Sequence, residues 1–136
     1  MENTDLRALL KNLQPVLDEK KYSIGTFDEA QLMGIANYIQ YVIGIFREEE
    51  GITVIFSEEI NDEMRRYTEK KLEGPFAKIT MKVNSSLFAV GLLAKITECL
   101  AKENIPVNAF SAYCHDHILV PYGSGAKALA ALKKIG

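Results

Sequence analysis

The chain has 136 residues, 48% hydrophobic and 25% charged, with a formal net charge of −2. That composition suits one compact domain, or two very small ones sharing a core, and excludes a disordered polymer. A globule of this length buries roughly two-thirds of its unfolded surface and needs no metal or disulfide staple, while the mild negative charge does not suggest a nucleic-acid backbone as the main partner, which would favour a strongly basic face.

In chain order, the N-terminus (Met1-Glu2-Asn3-Thr4-Asp5) is polar and acidic, unlike a targeting peptide. Leu6, Leu9, Leu10 and Leu13 then recur at three- and four-residue spacing. They predict a helix with one apolar stripe, Thr4 as N-cap and Pro15 as stop. Tyr22 to Phe27 reads as a short strand. The runs Tyr41 to Phe46 and Ile52 to Phe56 flank Glu48-Glu49-Glu50-Gly51, the pattern of an antiparallel hairpin whose glycine takes a positive φ. The triple glutamate reads as a solvated turn rather than a metal site, because no histidine or second acidic cluster accompanies it. The longest apolar stretch, Ile39 to Phe46, is far short of the ~20 residues of a membrane-spanning helix.

Glu58 to Glu73 carries a modest helical pattern, and Gly74-Pro75 is taken as the boundary between a half of residues 1–74 and a half of residues 75–136. Ala77, Ile79, Met81 and Val83 alternate with Lys78, Thr80 and Lys82, which marks a strand with one covered face. From Gly91 to Glu103 the period lengthens: Leu92, Leu93, Ile96, Cys99 and Leu100 form a helical stripe. Val107 to Tyr113 is a strand, Cys114-His115-Asp116 a tight turn, and His117 to Val120 a further strand. Gly123-Ser124-Gly125 opens a final alanine-rich helix, with Ser124 as N-cap in preference to an anion site.

The second half thus reads βαββα, an antiparallel sheet with both helices on one face, one strand short of a ferredoxin-like unit. No sixth element follows in sequence, so a strand from the first half, foremost Tyr22 to Phe27, or one from another subunit, is expected to fill the vacancy and interlock the halves.

Gly91-Leu92-Leu93-Ala94-Lys95-Ile96-Thr97-Glu98-Cys99-Leu100-Ala101-Lys102-Glu103-Asn104-Ile105 resembles the first helix of ACT domains, with its Gly-Leu-Leu-Ala start and terminal isoleucine. The wider run from Asn84 to Leu92, with Tyr113 to Val120, resembles small bacterial tandem-ACT proteins and the ACT modules of eukaryotic cytosolic arginine sensors. The resemblance is strongest over residues 75–136. It implies an α+β fold of two interlocked ferredoxin-like (βαββαβ) halves, and a non-catalytic, commonly dimeric regulatory module whose ligands are often amino acids. In the arginine-sensor branch an aspartate in the strand–strand turn helps to hold the ligand; Asp116 is the matching position and Tyr113 matches an aromatic beside it. Many ACT domains carry an acidic residue three positions before the helix glycine, where this chain has Phe88.

Chemistry sharpens that expectation. A free amino acid presents a carboxylate, suited to backbone N–H groups at a helix start, and an ammonium that wants a carboxylate. Asn84, Ser85, Ser86, Val90, Gly91 and Leu92 form the approach to such a start, and Asp116 and Tyr113 would face it. Each has a plainer alternative: the serines as caps, Gly91 for helix–sheet packing, Asp116 bonded within its own turn, Tyr113 as strand packing. His115 and His117 share a strand face and could grip a metal, but they are the only histidines and lack an evident third ligand; no metal or cofactor is expected. Cys99 and Cys114, without a Cys-x-x-Cys spacing, suggest a reducing cytoplasm. Neighbours on a strand face opposite ways, so His115 is badly placed to activate Cys114, and no enzyme is expected.

Overall fold

The computed structural model describes residues 5–135. Helix α1 (Leu6–Lys11) is capped by Asp5, whose carboxylate accepts a hydrogen bond from the Arg7 N–H at 3.1 Å; the expected cap, Thr4, lies outside the described residues. Pro15 does more than stop this helix, because it begins β1 (Pro15–Leu17). There follow β2 (Tyr22–Phe27), α2 (Leu32–Ile35) between two 3₁₀ turns that extend it over residues 29–41, β3 (Val42–Glu48) and β4 (Gly51–Ser57). Next come α3 (Asn61–Met64), again between 3₁₀ turns, β5 (Glu73–Met81), α4 (Leu92–Lys102), β6 (Asn108–Ser111), β7 (Asp116–Pro121) and α5 (Gly125–Lys133).

The chain divides into two compact units, residues 20–76 and residues 1–19 with 77–136. In the first unit, strands run in the order β3-β4-β2 and then residues 73–76 of β5. All six residues of β2 pair with β4, from Tyr22 opposite Ser57 to Phe27 opposite Ile52. Alternate residues Ile52, Val54 and Phe56 of β4 point into a core shared with Phe27, Ile35, Ile60 and Met64. The helix of residues 29–41 left no sequence signal because it is three short pieces, with no continuous 3.6-residue stripe.

In the second unit, residues 77–81 of β5 lie between β1 and β7, and β6 closes the other side of β7. Ala77, Ile79 and Met81 bury against Leu92, Ile96 and Leu100 of α4, Ala128 and Leu132 of α5, and Leu9 and Leu13 from the N-terminal segment. The missing fourth strand is therefore supplied by the first half, but by Pro15–Leu17 and not by Tyr22–Phe27. Pro15 faces Met81 and Leu17 faces Ile79. The Asp18 N–H donates to the Lys78 carbonyl at 2.9 Å, with a half-buried Lys78–Asp18 ion pair at 3.6 Å. Tyr22–Phe27 is committed to β4, and three residues suffice for a strand whose only task is to cover one edge.

This arrangement assigns the first 19 residues to the unit of the second half, so the spatial division departs from a cut into 1–74 and 75–136. Gly74-Pro75 lies within β5 rather than in a linker. The strand expected over Val107 to Tyr113 is limited to Asn108–Ser111, and its turn spans residues 112–115, closed by Ala112 N–H donating to the His115 carbonyl. Ser124 occupies the N-cap position of α5 but makes no side-chain cap bond; the 3₁₀ turn Tyr122–Ser124 leads into the helix instead. No helix among the described residues is long and apolar enough to cross a membrane.

Gly51 opens β4 at φ +146°, where a Cβ would drive into the Phe27 carbonyl oxygen. Gly51→Ala is expected to destabilise by about 1–3 kcal/mol, whereas Gly123→Ala, with no atom within 4 Å of the added carbon, should stay within about 0.5 kcal/mol of wild type. Urea midpoints of the two variants check this, and equal midpoints would contradict it.

Candidate functional site

The loop Asn84 to Gly91 leaves β5, and the turn of residues 112–115 enters β7. Thr80 Oγ1 lies 2.8 Å from His117 Nδ1, so the last residues of β5 sit beside the first of β7. Loop and turn consequently emerge at the same end of this unit. Side-chain alternation along β7 then fixes direction. Ile118 and Val120 enter the core beneath α4, so Asp116, two residues before Ile118, projects to the helix side, half-buried at the rim. His117 takes the opposite face.

Within the loop, Ser86 Oγ accepts from the Phe88 N–H at 3.0 Å and its carbonyl from the Ala89 N–H at 3.1 Å. Ser86 therefore shapes the turn, and its hydroxyl hydrogen remains available to donate. Ser85 is buried and Asn84 exposed. Gly91 adopts φ +95° as the N-cap residue of α4, and the space beyond its Cα is filled by the Leu6 side chain at 3.1 Å from the position of a Cβ. Its lack of a side chain serves that contact with α1. Leu92, only 3% exposed, is a core residue whose side chain is turned away from solvent; what it offers at the helix start is its N–H, one of the first-turn donors that no helical carbonyl reaches. Val90 is 84% exposed, Phe88 86% and Tyr113 77%. Tyr113 is thus not packed within a strand. Three of the eight expected residues, Ser85, Gly91 and Leu92, are fixed by packing or backbone conformation, while Asn84, Val90 and Tyr113 are open to solvent.

In the unit of residues 20–76, the same corner lies between the start of the helix after β2 and the β3–β4 turn. Here Arg47 forms an ion pair with Glu29. A guanidinium and a carboxylate of the chain itself thus meet at that corner. This pair went unseen in the sequence because its members are 18 residues apart in two different elements.

The two imidazoles sit 6.4 Å apart, centroid to centroid, near perpendicular. Among the described residues no group of three histidine, cysteine, aspartate or glutamate side chains is arranged to hold a metal. Cys99 Sγ lies 3.5 Å from the Ala131 carbonyl, and burial followed by the Glu103 charge pushes its thiol up, against thiolate formation. Cys114 is exposed in the turn.

Burial, then the positive charges of Lys78 and His115, hold His117 below its ordinary value of 6.5, with Asp116 opposing. A histidine that resists protonation in the folded state contributes stability above about pH 6.5, and loses it as pH falls. Urea midpoints of wild type are expected to fall from pH 7.5 to 5.5 by more than those of His117→Gln. A parallel fall in both proteins would place the loss elsewhere.

The sequence matches two family models described as ACT domain, over residues 3–65 and 71–134. No curated protein matches it. Among solved structures it is similar to a protein of unknown function from Vibrio cholerae, a possible transport protein. Identity there is 31% over 96% of this chain and 95% of that one, with a TM-score of 0.78. The fold is shared with the ligand-free regulatory subunit of aspartate kinase from Thermus thermophilus, at 13% identity over 92% and 98% of the two chains and TM-score 0.71. It is shared too with E. coli aspartokinase III in complex with aspartate and ADP, at 15% identity over 87% of this chain and 32% of that one, TM-score 0.66. With two matched segments that together span nearly its whole length, the chain belongs to the ACT domain family and carries two ACT domains in tandem.

Proposed function

We propose that this chain is a non-catalytic regulatory protein of the cytoplasm that senses a free amino acid. The ligand sits between the Asn84–Leu92 loop and the Tyr113–Asp116 turn. The observation that carries the reading is the Thr80–His117 contact, which brings both segments to one end of the unit with Asp116 on the helix side. The ligand carboxylate meets the free N–H groups of the first turn of α4, an 11-residue helix, aided by Ser85 and Ser86. Its ammonium pairs with Asp116. Asn84 and Tyr113 border the entrance, and Val90 lines it beside Gly91. The regulatory character of the aspartate kinase neighbours supports an amino acid as the ligand class. Likeness to the arginine-sensor branch rests on Tyr113 and Asp116.

The exposed Phe88 and Val90, and a β6 whose four residues are all exposed along an edge strand, support a homodimer in which a second copy covers this end. One observation favours a second reading, a docking module with a degenerate site: Phe88, at the position where many ACT domains have an acid, is 86% exposed.

Thermal denaturation with each of the twenty amino acids is the test. A ligand at a hundred times its Kd stabilises by about 2.7 kcal/mol. Asp116→Ala should remove that stabilisation without lowering the unliganded midpoint, since the residue lies at a rim. Calorimetric titration should give one site per chain, because the Arg47–Glu29 pair occupies the matching corner of the other unit. No response to any amino acid at millimolar concentration would favour the docking reading, and unchanged affinity in Asp116→Ala would remove that residue from the site.

A further inference from the structure

On the outer side of α4 and α5, away from the ligand corner, lies an open groove of about 520 Å³. Each helix lines it with residues at i, i+3, i+4 and i+7: Lys95, Glu98, Cys99 and Lys102 on α4, and Lys127, Ala130, Ala131 and Lys134 on α5. The small side chains in the middle leave the channel, and a lysine stands at each end of both stripes. Two contacts fix the alignment. Lys127 Nζ donates to the Glu103 carbonyl at 3.3 Å, beside the end of α4, and Cys99 Sγ meets the Ala131 carbonyl at mid-groove. Lys102 and Lys127 therefore mark one end, and Lys95 and Lys134 the other.

The charge here runs against that of the whole molecule. The chain carries −2 overall, yet α4 and α5 with their C-caps together hold five lysines against Glu98 and Glu103. Lys102 shares its charge with Glu98 at 3.2 Å. No carboxylate stands among the groove residues of α5. Neither proposed ligand contacts nor core packing employs these exposed ammonium groups.

We infer that this groove docks an acidic helix of a partner protein. Seven residues of helix rise about 10.5 Å, two turns, so the lysine pairs at the two ends match carboxylates seven residues apart on the incoming helix. Between them a short apolar side chain would rest on Cys99, Ala130 and Ala131. A third helix laid here would extend the helical layer of the unit, with charge selecting the partner and guiding encounter. This reading is independent of the amino-acid site.

The test uses the full chain and a fluorescein-labelled helical peptide of about twenty residues. The peptide carries glutamates at seven-residue intervals beside an alanine stripe; a scrambled peptide has the same composition. Anisotropy should show binding of the ordered peptide that weakens by about tenfold or more in 0.5 M salt, and by a similar factor in Lys95→Glu/Lys134→Glu. A lysine-substituted peptide should bind that variant better than wild type, and Asp116→Ala should bind the acidic peptide as wild type does. Circular dichroism confirms that the variant, altered only at exposed positions, is folded. Equal binding of the scrambled peptide, preference for a single-stranded oligonucleotide, salt-sensitive association of the chain with itself in place of the peptide, or no binding at millimolar peptide would each overturn the proposal.

Discussion

The antiparallel pairing of Pro15–Leu17 with β5 is the contact on which the architecture turns. A ferredoxin-like unit needs a fourth strand to cover the outer edge of its first, or the backbone groups there stay unpaired. The segment from β5 to α5 supplies three strands, and the fourth comes from upstream of the other unit. Leu9 and Leu13, which lead into that strand, pack in the same core as Ile79, Ile96 and Leu132. The chain thus begins one ACT unit, builds the other from residues 20–76, and returns along β5 to complete the first. Residues 73–76 of β5 in turn close the other unit beside β2.

That topology also sets where the connecting segments emerge. Because β5 and β7 are neighbours, the loop that follows one and the turn that precedes the other must leave together, and Thr80 with His117 marks the spot. The alternation that sinks Ile118 and Val120 into the core turns Asp116 towards α4. On the proposed reading, that carboxylate and the first-turn N–H groups of α4 are the complement of a zwitterion. In the other unit the equivalent corner is spanned by Arg47 and Glu29, so two units of one fold differ in what they leave open to solvent. The lysines at the ends of the α4–α5 groove likewise contribute nothing to the core beneath it.

Features written within a few neighbouring residues were legible in the sequence. The alternation of Ala77, Ile79 and Met81 declared a strand, the stripe of Leu92, Ile96 and Leu100 a helix, and Gly51 after three glutamates a hairpin, and all three stand where periodicity put them. The run Gly91 to Ile105, combined with Asn84 to Leu92 and Tyr113 to Val120, carried the resemblance to ACT domains. These are local matters, since period and turn chemistry depend on a window of a few residues.

What only the tertiary structure decided is the choice of distant partners. Three residues, Pro15–Leu17, show no strand pattern and became a strand because an edge of β5 needed covering. The helix of residues 29–41, broken into 3₁₀ and α turns, is held by the packing of Ile35 on Phe27 and Phe56 and by no periodic stripe. The side of Gly91 where a Cβ would stand is filled by Leu6, and Leu92 packs in the core. The sequence by itself determined the strands, helices and hairpin that carry a local period or turn residue, and the family they resemble. Long-range pairing and burial, whose energies depend on residues tens of positions apart, decided which strand completes which unit and which side chains stay exposed.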